Sequence, residues 1–151
     1  MKEVFIFLTT GFEEIEALGT IDILRRGGVN VKSVSLESNK EVTGGHEVPV
    51  KADIMFDEAD FNNAEMLLLP GGTVRLNEHE GLKKEVLKFA QAGNKIAAIC
   101  AAPMVLGGLG LLKGKKATAY PGFEQYLDGA EVDKTASVVV DGDIITGRGP
   151  G

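Results

Sequence analysis

Apolar residues along the chain alternate between two spacings. Val4–Leu8 is a near-continuous apolar run, as expected for a strand buried on both faces, and Thr9-Thr10-Gly11 ends it. From Glu13 to Arg26 the positions Ile15, Leu18, Ile21 and Leu24 recur at helical spacing, with Gly27-Gly28 as the stop. Val29–Leu36 reads as a second strand. Glu41–Lys51 contains Gly44-Gly45 and Pro49, which predicts short, edge-like strands. Glu65–Leu69 is the next buried strand, closed by Pro70-Gly71-Gly72. Leu82, Val86, Phe89 and Ala90 line one face of a helix that stops at Gly93. Lys95–Ile99 is a strand that runs straight into Cys100. Pro103 suits the first turn of a helix, expected to continue from Met104 to Leu112. Val138–Val140 and Asp143–Thr146 flank Asp141-Gly142, a two-residue hairpin turn.

Strands alternating with helices predict an α/β fold, a mostly parallel sheet covered by helices. No repeat or linker interrupts residues 1–151, so one domain is expected. The last strand is followed only by Arg148-Gly149-Pro150-Gly151. A turn at that place should lead into another helix, so the 151 residues are expected to lack a C-terminal helix. Composition is that of an ordinary globular domain: 44% hydrophobic, 25% charged, net charge −6. The acidic balance argues against nucleic acid, because Arg25-Arg26 and Lys113–Lys116 are too short to track phosphates. No apolar run approaches the roughly 20 residues of a membrane span. The N-terminus shows no signal-peptide cleavage pattern. A single cysteine excludes an internal disulfide and fits a reducing compartment, with the cytoplasm as the expected location.

In open α/β sheets, sites lie beyond the carboxyl ends of the strands. Three loops converge there, and Cys100 is the sharpest feature among them. A residue at a tight strand-to-helix turn presents its side chain above the sheet, with the next helix's N-terminus beneath it. Those N–H groups should stabilise a thiolate and lower the cysteine's pKa. The alternative for a lone cysteine is a small buried hydrophobe. Glu13, Glu14 and Glu16 fall in the first turn of the first helix; Glu13 and Glu14 are expected to face water. Glu16, between Ile15 and Ala17, is placed equally well inward, where its carboxyl could carry a proton. The backbone N–H groups of Gly72 and Ala101 could form an oxyanion hole, with Gly71 beside them. His46 and His79 are expected at the surface. No spacing suggests a metal site, and no phosphate or dinucleotide loop is present, so neither metal nor cofactor is expected.

GFEEIEALGTIDILRRGG, LLLPGG, AAICAAP and TGRGPG, in this order, together resemble the ThiJ/PfpI superfamily, in the branch of bacterial ThiJ-like proteins and the Parkinson's-associated protein deglycase (DJ-one). The likeness covers essentially the whole chain. It implies a flavodoxin-like three-layer sandwich of the class I glutamine amidotransferase type, a homodimer, and a nucleophilic or oxidation-sensing cysteine. By motif, Cys100 takes that cysteine's place and Glu16 that of the glutamate that hydrogen-bonds it. Gly71 and Gly72 match the oxyanion-side glycines. Asp22 and Arg26 match first-helix residues near the site or dimer contact. His46 falls where one branch has an arginine that reaches the partner subunit. Many members carry a histidine before a proline near the sulfur. Here Tyr120 precedes Pro121, and a phenol is a poor base at neutral pH. The peptidase-like branch places a histidine directly after the cysteine; Ala101 stands there, which speaks against peptidase activity.

Two functions follow from the resemblance. One is cofactor-independent chemistry on 2-oxoaldehydes such as methylglyoxal, or on their adducts with protein side chains, of the glyoxalase or deglycase type. The other is an oxidative-stress sensor or redox-regulated chaperone using the same cysteine. A vestigial site is a third reading, raised by Tyr120. The sequence leaves the three open.

Overall fold

The computed structural model describes residues 2–149. In chain order it runs β1 (Glu3–Leu8), a π-helical turn (Ile15–Gly19), α1 (Thr20–Arg26), β2 (Val31–Ser35), β3 (Glu41–Thr43), β4 (Pro49–Lys51), β5 (Ile54–Met55) and β6 (Ala64–Leu69). It continues with α2 (Glu80–Gln91), β7 (Lys95–Ile99), α3 (Pro103–Gly108), β8 (Lys116–Ala117), β9 (Glu131–Val132), β10 (Val138–Asp141) and β11 (Ile144–Gly147). Seven strands form one sheet in the order β10-β11-β7-β6-β1-β2-β5, with every pairing parallel except the β10–β11 hairpin. This is the flavodoxin-like, three-layer arrangement.

The unbroken apolar runs have the meaning their pattern suggests. Successive residues of β1 point to opposite faces, and both faces are covered. Phe5 and Phe7 join Leu67, Leu69, Ile96 and Ala98 beneath Leu82, Val86 and Phe89 of α2 and Val105 and Leu106 of α3. Val4, Ile6 and Leu8 join Leu68 on the other face, under Ala17, Ile21 and Val42 of the β3–β4 hairpin. On that second face a groove of about 160 Å³ runs between the π turn and β10, lined by Glu16, Thr20, Ile99, Val138 and Ile145.

Four details differ from the pattern. The first helix is not α-helical throughout: its first turn is a π turn, with Ile15 68% exposed while Glu16 and Ala17 are buried. A π turn takes an extra residue, so the face set by Ile21 and Leu24 no longer includes Ile15. The helix expected to reach Leu112 stops at Gly108. Its glycines end it, with Gly110 in the left-handed region at φ +77°. In the C-terminal hairpin Asp141 pairs with Ile144, so the turn residues are Gly142-Asp143, one position later than the Asp-Gly reading. The short strands β5, β8 and β9 have no clear periodicity and were not anticipated. The turn expected at Gly149-Pro150-Gly151 lies outside the described residues from Pro150 onward.

Candidate active site

Three strands of the parallel sheet end at one place. β1 leads to Thr9–Glu13, β6 to Pro70-Gly71-Gly72, and β7 to Cys100. The cysteine takes φ +66°, a left-handed conformation that costs a residue with a Cβ about 1–3 kcal/mol. The surroundings hold it there: Cys100 N–H donates to the Gly147 carbonyl (2.9 Å), and its own carbonyl accepts from Tyr120 N–H (2.8 Å). Ala101 and Ala102 are buried beneath, which accounts for small residues at these positions. The thiol is half-buried.

Glu16 arrives from the π turn and is 4% exposed. Its Oε1 accepts from Gly71 N–H at 2.8 Å. Its Oε2 is buried with no conventional hydrogen-bond donor, and the carboxyl interacts with the Cys100 side chain. Gly71 and Gly72 are required for different reasons. A Cβ on Gly71 would lie 2.6 Å from the Cys100 Cβ and 2.9 Å from Glu16 Oε1, so it would collide with both partners. Gly72 sits at φ +96°, and a Cβ there would lie 2.3 Å from Glu13 N. The backbone N–H groups of Ala101 and Gly72 both hydrogen-bond the sulfur. The two donors expected at an oxyanion thus converge on the reacting atom.

The lowered thiol pKa expected from the helix N-terminus is not found. Burial, then the charge and hydrogen bond of Glu16, push Cys100 up to about 11, and the two N–H donors only partly offset this. α3 has just six residues, which limits its dipole. Burial also raises Glu16, against the hydrogen bonds from Gly71 and Cys100. A thiol and a carboxyl in contact titrate as one unit. Between the raised carboxyl and the raised thiol the pair holds a single proton.

Glu13 and Glu14 do not face water as expected. Glu13 Oε2 accepts from Glu16 N–H at 2.9 Å, and Glu13 N–H donates to the Gly71 carbonyl at 2.9 Å, which ties this turn to the glycine loop. The Glu14 side chain is 11% exposed. Its Oε2 accepts from His46 N–H (2.7 Å) and Val48 N–H (3.3 Å), and its Oε1 lies 3.0 Å from His46 Nδ1. Burial would raise this carboxyl, yet the bonds from His46 hold it at about 2. The His46 ring is at the surface, as expected, and the bond to Glu14 raises its pKa. Among the described residues these three form the one trio whose ligating atoms lie within 4.8 Å of one another. Their hydrogen bonds to one another and to backbone already account for that convergence.

The remaining candidates are not at the sulfur. Asp22 and Arg26 pair with each other at 2.9 Å on the exposed side of α1. Tyr120 touches the elbow through its main chain, and the residue is 46% exposed. His79 caps α2 by accepting from Leu82 N–H at 2.9 Å. One contributor was missed. Gly149, at φ +130°, forms the open wall of the site, and a Cβ there would lie 3.3 Å from Glu16 Oε2 and 3.5 Å from Sγ. Its place in the TGRGPG motif was the available signal.

No helix among the described residues is long and apolar enough to cross a membrane. A model of the DJ-1/PfpI family matches residues 2–151. Protein dj-1beta of Drosophila melanogaster is 33% identical over 99% of this chain and 82% of its own length. A deglycase of Pyrococcus horikoshii is 36% identical over 96% of this chain and 89% of its own. The chain spans only 35% and 40% of the length of two DJ-1 homologues of Arabidopsis thaliana. The crystal structure of a DJ-1 superfamily protein from Salmonella typhimurium superposes with a TM-score of 0.91 at 33% identity, covering 99% of this chain and 82% of that one. With the cysteine elbow, the buried glutamate and the two glycines in one place, the chain belongs to the DJ-1/PfpI family.

Proposed function

We propose that this chain carries out cofactor-independent, cysteine-dependent chemistry on small 2-oxoaldehydes such as methylglyoxal, or on their early adducts with protein side chains. The observation that supports this best is the buried, donor-free Oε2 of Glu16 beside the Cys100 thiol. Sulfur attacks the aldehyde carbon while its proton passes to Glu16, so the thiol need not ionise beforehand. The proton then moves to the new alkoxide, giving a hemithioacetal. The N–H groups of Gly72 and Ala101, released from the sulfur, can serve the developing oxyanion. Glu16, again a carboxylate, removes the C1 hydrogen as a proton and delivers it to C2, while the C1 hydroxyl proton passes to the C2 oxygen. C1 is thereby oxidised to a thioester and C2 reduced to an alcohol, with no external electron carrier. Water cleaves the thioester, regenerating the thiol and releasing the hydroxy acid. The names of the archaeal relatives as deglycases support carbonyl chemistry of this kind.

Incubation of the purified chain with methylglyoxal should form lactate over many turnovers, and Cys100→Ser should abolish it. Lactate at no more than one equivalent per chain would overturn the reading. The second reading, a redox sensor, is supported by the same N–H groups on sulfur, which could equally hold the oxygens of a sulfinate formed by peroxide. Stoichiometric oxidation of Cys100 by peroxide without carbonyl turnover would favour it. A cytoplasmic homodimer, with the first helix and the Gly44–Val50 segment at its interface, is part of the proposal.

A further inference from the structure

We propose that Glu13 is a positioning residue: its carboxylate takes the Glu16 N–H while its own N–H takes the Gly71 carbonyl, so that one residue sets the acid/base group and the glycine loop against each other at Cys100. The proposal rests on the functional pairing of Glu16 with Cys100 and adds what fixes that pair to the Gly72 donor.

Both main-chain groups of Glu13 and one of its carboxylate oxygens are engaged. Oε2 accepts from Glu16 N–H at 2.9 Å, the carbonyl accepts from Ala17 N–H at 3.1 Å, and the N–H donates to the Gly71 carbonyl at 2.9 Å. Gly71 N–H in turn donates to Glu16 Oε1 at 2.8 Å. Three bonds therefore close a ring, from Glu13 to Gly71, from Gly71 to Glu16 and from Glu16 back to Glu13. Both backbone polar groups of Gly71 are given to this one turn. Gly72 follows, and passes so near that a Cβ on it would lie 2.3 Å from Glu13 N. Its own N–H bonds the sulfur. The loop that supplies the donor and the turn that supplies the carboxyl thus meet at Glu13.

Glu16 N–H belongs to the first turn of its helix, where main-chain donors have no carbonyl of an earlier turn to bond. The carbonyl at helical spacing, that of Phe12, already accepts from Gly45 N–H at 2.8 Å. Glu16 is 4% exposed, so loss of the Glu13 carboxylate would leave a buried donor unpaired at the residue that must face the sulfur. The ionisable groups around Glu13 are Glu16, Glu14 and His46, whose Nδ1 lies 3.8 Å from Glu13 Oε1. All the bonds of the ring lie within one chain, so they hold whether or not a second copy covers the first helix.

The test is the pH dependence of Cys100 alkylation by iodoacetamide in the folded chain, with urea unfolding followed alongside. Glu13→Ala and Glu13→Leu both remove the acceptor, the first opening space and the second keeping bulk. Glu13→Gln keeps an acceptor oxygen at the same reach without the charge. Burial and Glu16 raise the Cys100 thiol more than the N–H groups of Ala101 and Gly72 lower it. A Glu16 carboxyl no longer fixed against the sulfur should therefore let the alkylation midpoint fall, by about one pH unit in Glu13→Ala and Glu13→Leu. Glu13→Gln should keep the parent midpoint. An unchanged midpoint in either folded acceptor-free variant overturns the proposal, even where urea unfolding shows lost stability, because Glu13 would then serve the fold alone. A fall in Glu13→Gln as large as in Glu13→Ala also overturns it, because charge rather than the bond would be responsible. Failure of both acceptor-free variants to fold overturns it as well. Alkylation needs no carbonyl turnover, so failure here is distinguishable from failure of the proposed reaction, which a lactate assay reports.

Discussion

The two chain segments that meet at the site are both strand-to-helix junctions, yet they are built by different means. At β7–α3 the site is marked locally, although Gly147 and Tyr120 secure the backbone through hydrogen bonds. Cys100 adopts its left-handed backbone between a strand and Pro103, and its neighbours Ala101 and Ala102 are small. At the β1 junction, by contrast, Glu16 is aimed by distant parts of the chain. Gly71 N–H binds its carboxyl, and the 44–48 turn binds Glu14, two residues before it. The nucleophile's place is marked by a few consecutive residues even though distant ones secure it, whereas its partner's inward turn leaves no local mark and shows in a contact 55 positions away.

That contrast can be broken most severely where the junctions touch. Gly71→Ala would drive a methyl between Cys100 Cβ and Glu16 Oε1, at 2.6 and 2.9 Å. We expect lactate formation to fall by more than about 10²-fold, the worth of a positioned acid/base group, with about 1–3 kcal/mol lost in urea unfolding from overpacking. Parent-like turnover would mean that the two junctions need not touch.

A smaller, reversible effect should come from pH. The folded Glu14 carboxyl is held near 2, below its ordinary 4.5, so its contribution to stability is full above 4.5 and lost as pH falls toward 2. The His46 pKa is raised above its ordinary 6.5, so its contribution is full below 6.5 and lost as pH rises through the raised value. The contact of Glu14 with His46 is therefore tightest between about 4.5 and 6.5. Protection factors for the His46 and Val48 amides should peak in that window, and a flat profile from acid to mildly alkaline pH would contradict it. The smallest effect belongs to a region outside both junctions. Asp22→Ala removes an exposed i,i+4 ion pair and should change stability by about 0.5 kcal/mol or less in thermal melts, with turnover unaffected.

The sheet was legible because its strands are buried on both faces, so that Val4–Leu8 and Lys95–Ile99 stand out as unbroken apolar runs. Cys100 was legible for the reason given above. The inward turn of Glu16 was not, since an α-helical reading of Ile15, Leu18, Ile21 and Leu24 puts Ile15 on the core side. A π turn changes that phase without leaving a residue signature of its own. Glu14 was misread as solvated because its partners, His46 and Val48, lie in a hairpin whose docking no local pattern encodes. The direction of the thiol's pKa was misjudged for a related reason: the helix N-terminus is visible in sequence, but the burial and the facing carboxyl that outweigh it are tertiary.

The central claim is that Glu16 and Cys100 work as one proton-sharing unit, and Glu16→Gln tests it most directly. Glutamine keeps the side chain's shape and its acceptor for Gly71 N–H, but it carries no charge and cannot accept the thiol proton. The iodoacetamide midpoint of Cys100 should therefore fall, because the facing carboxylate no longer opposes the thiolate, while lactate formation from methylglyoxal drops by about 10²–10⁴-fold. Parent-rate turnover in the variant, or an unchanged alkylation midpoint, would contradict the account.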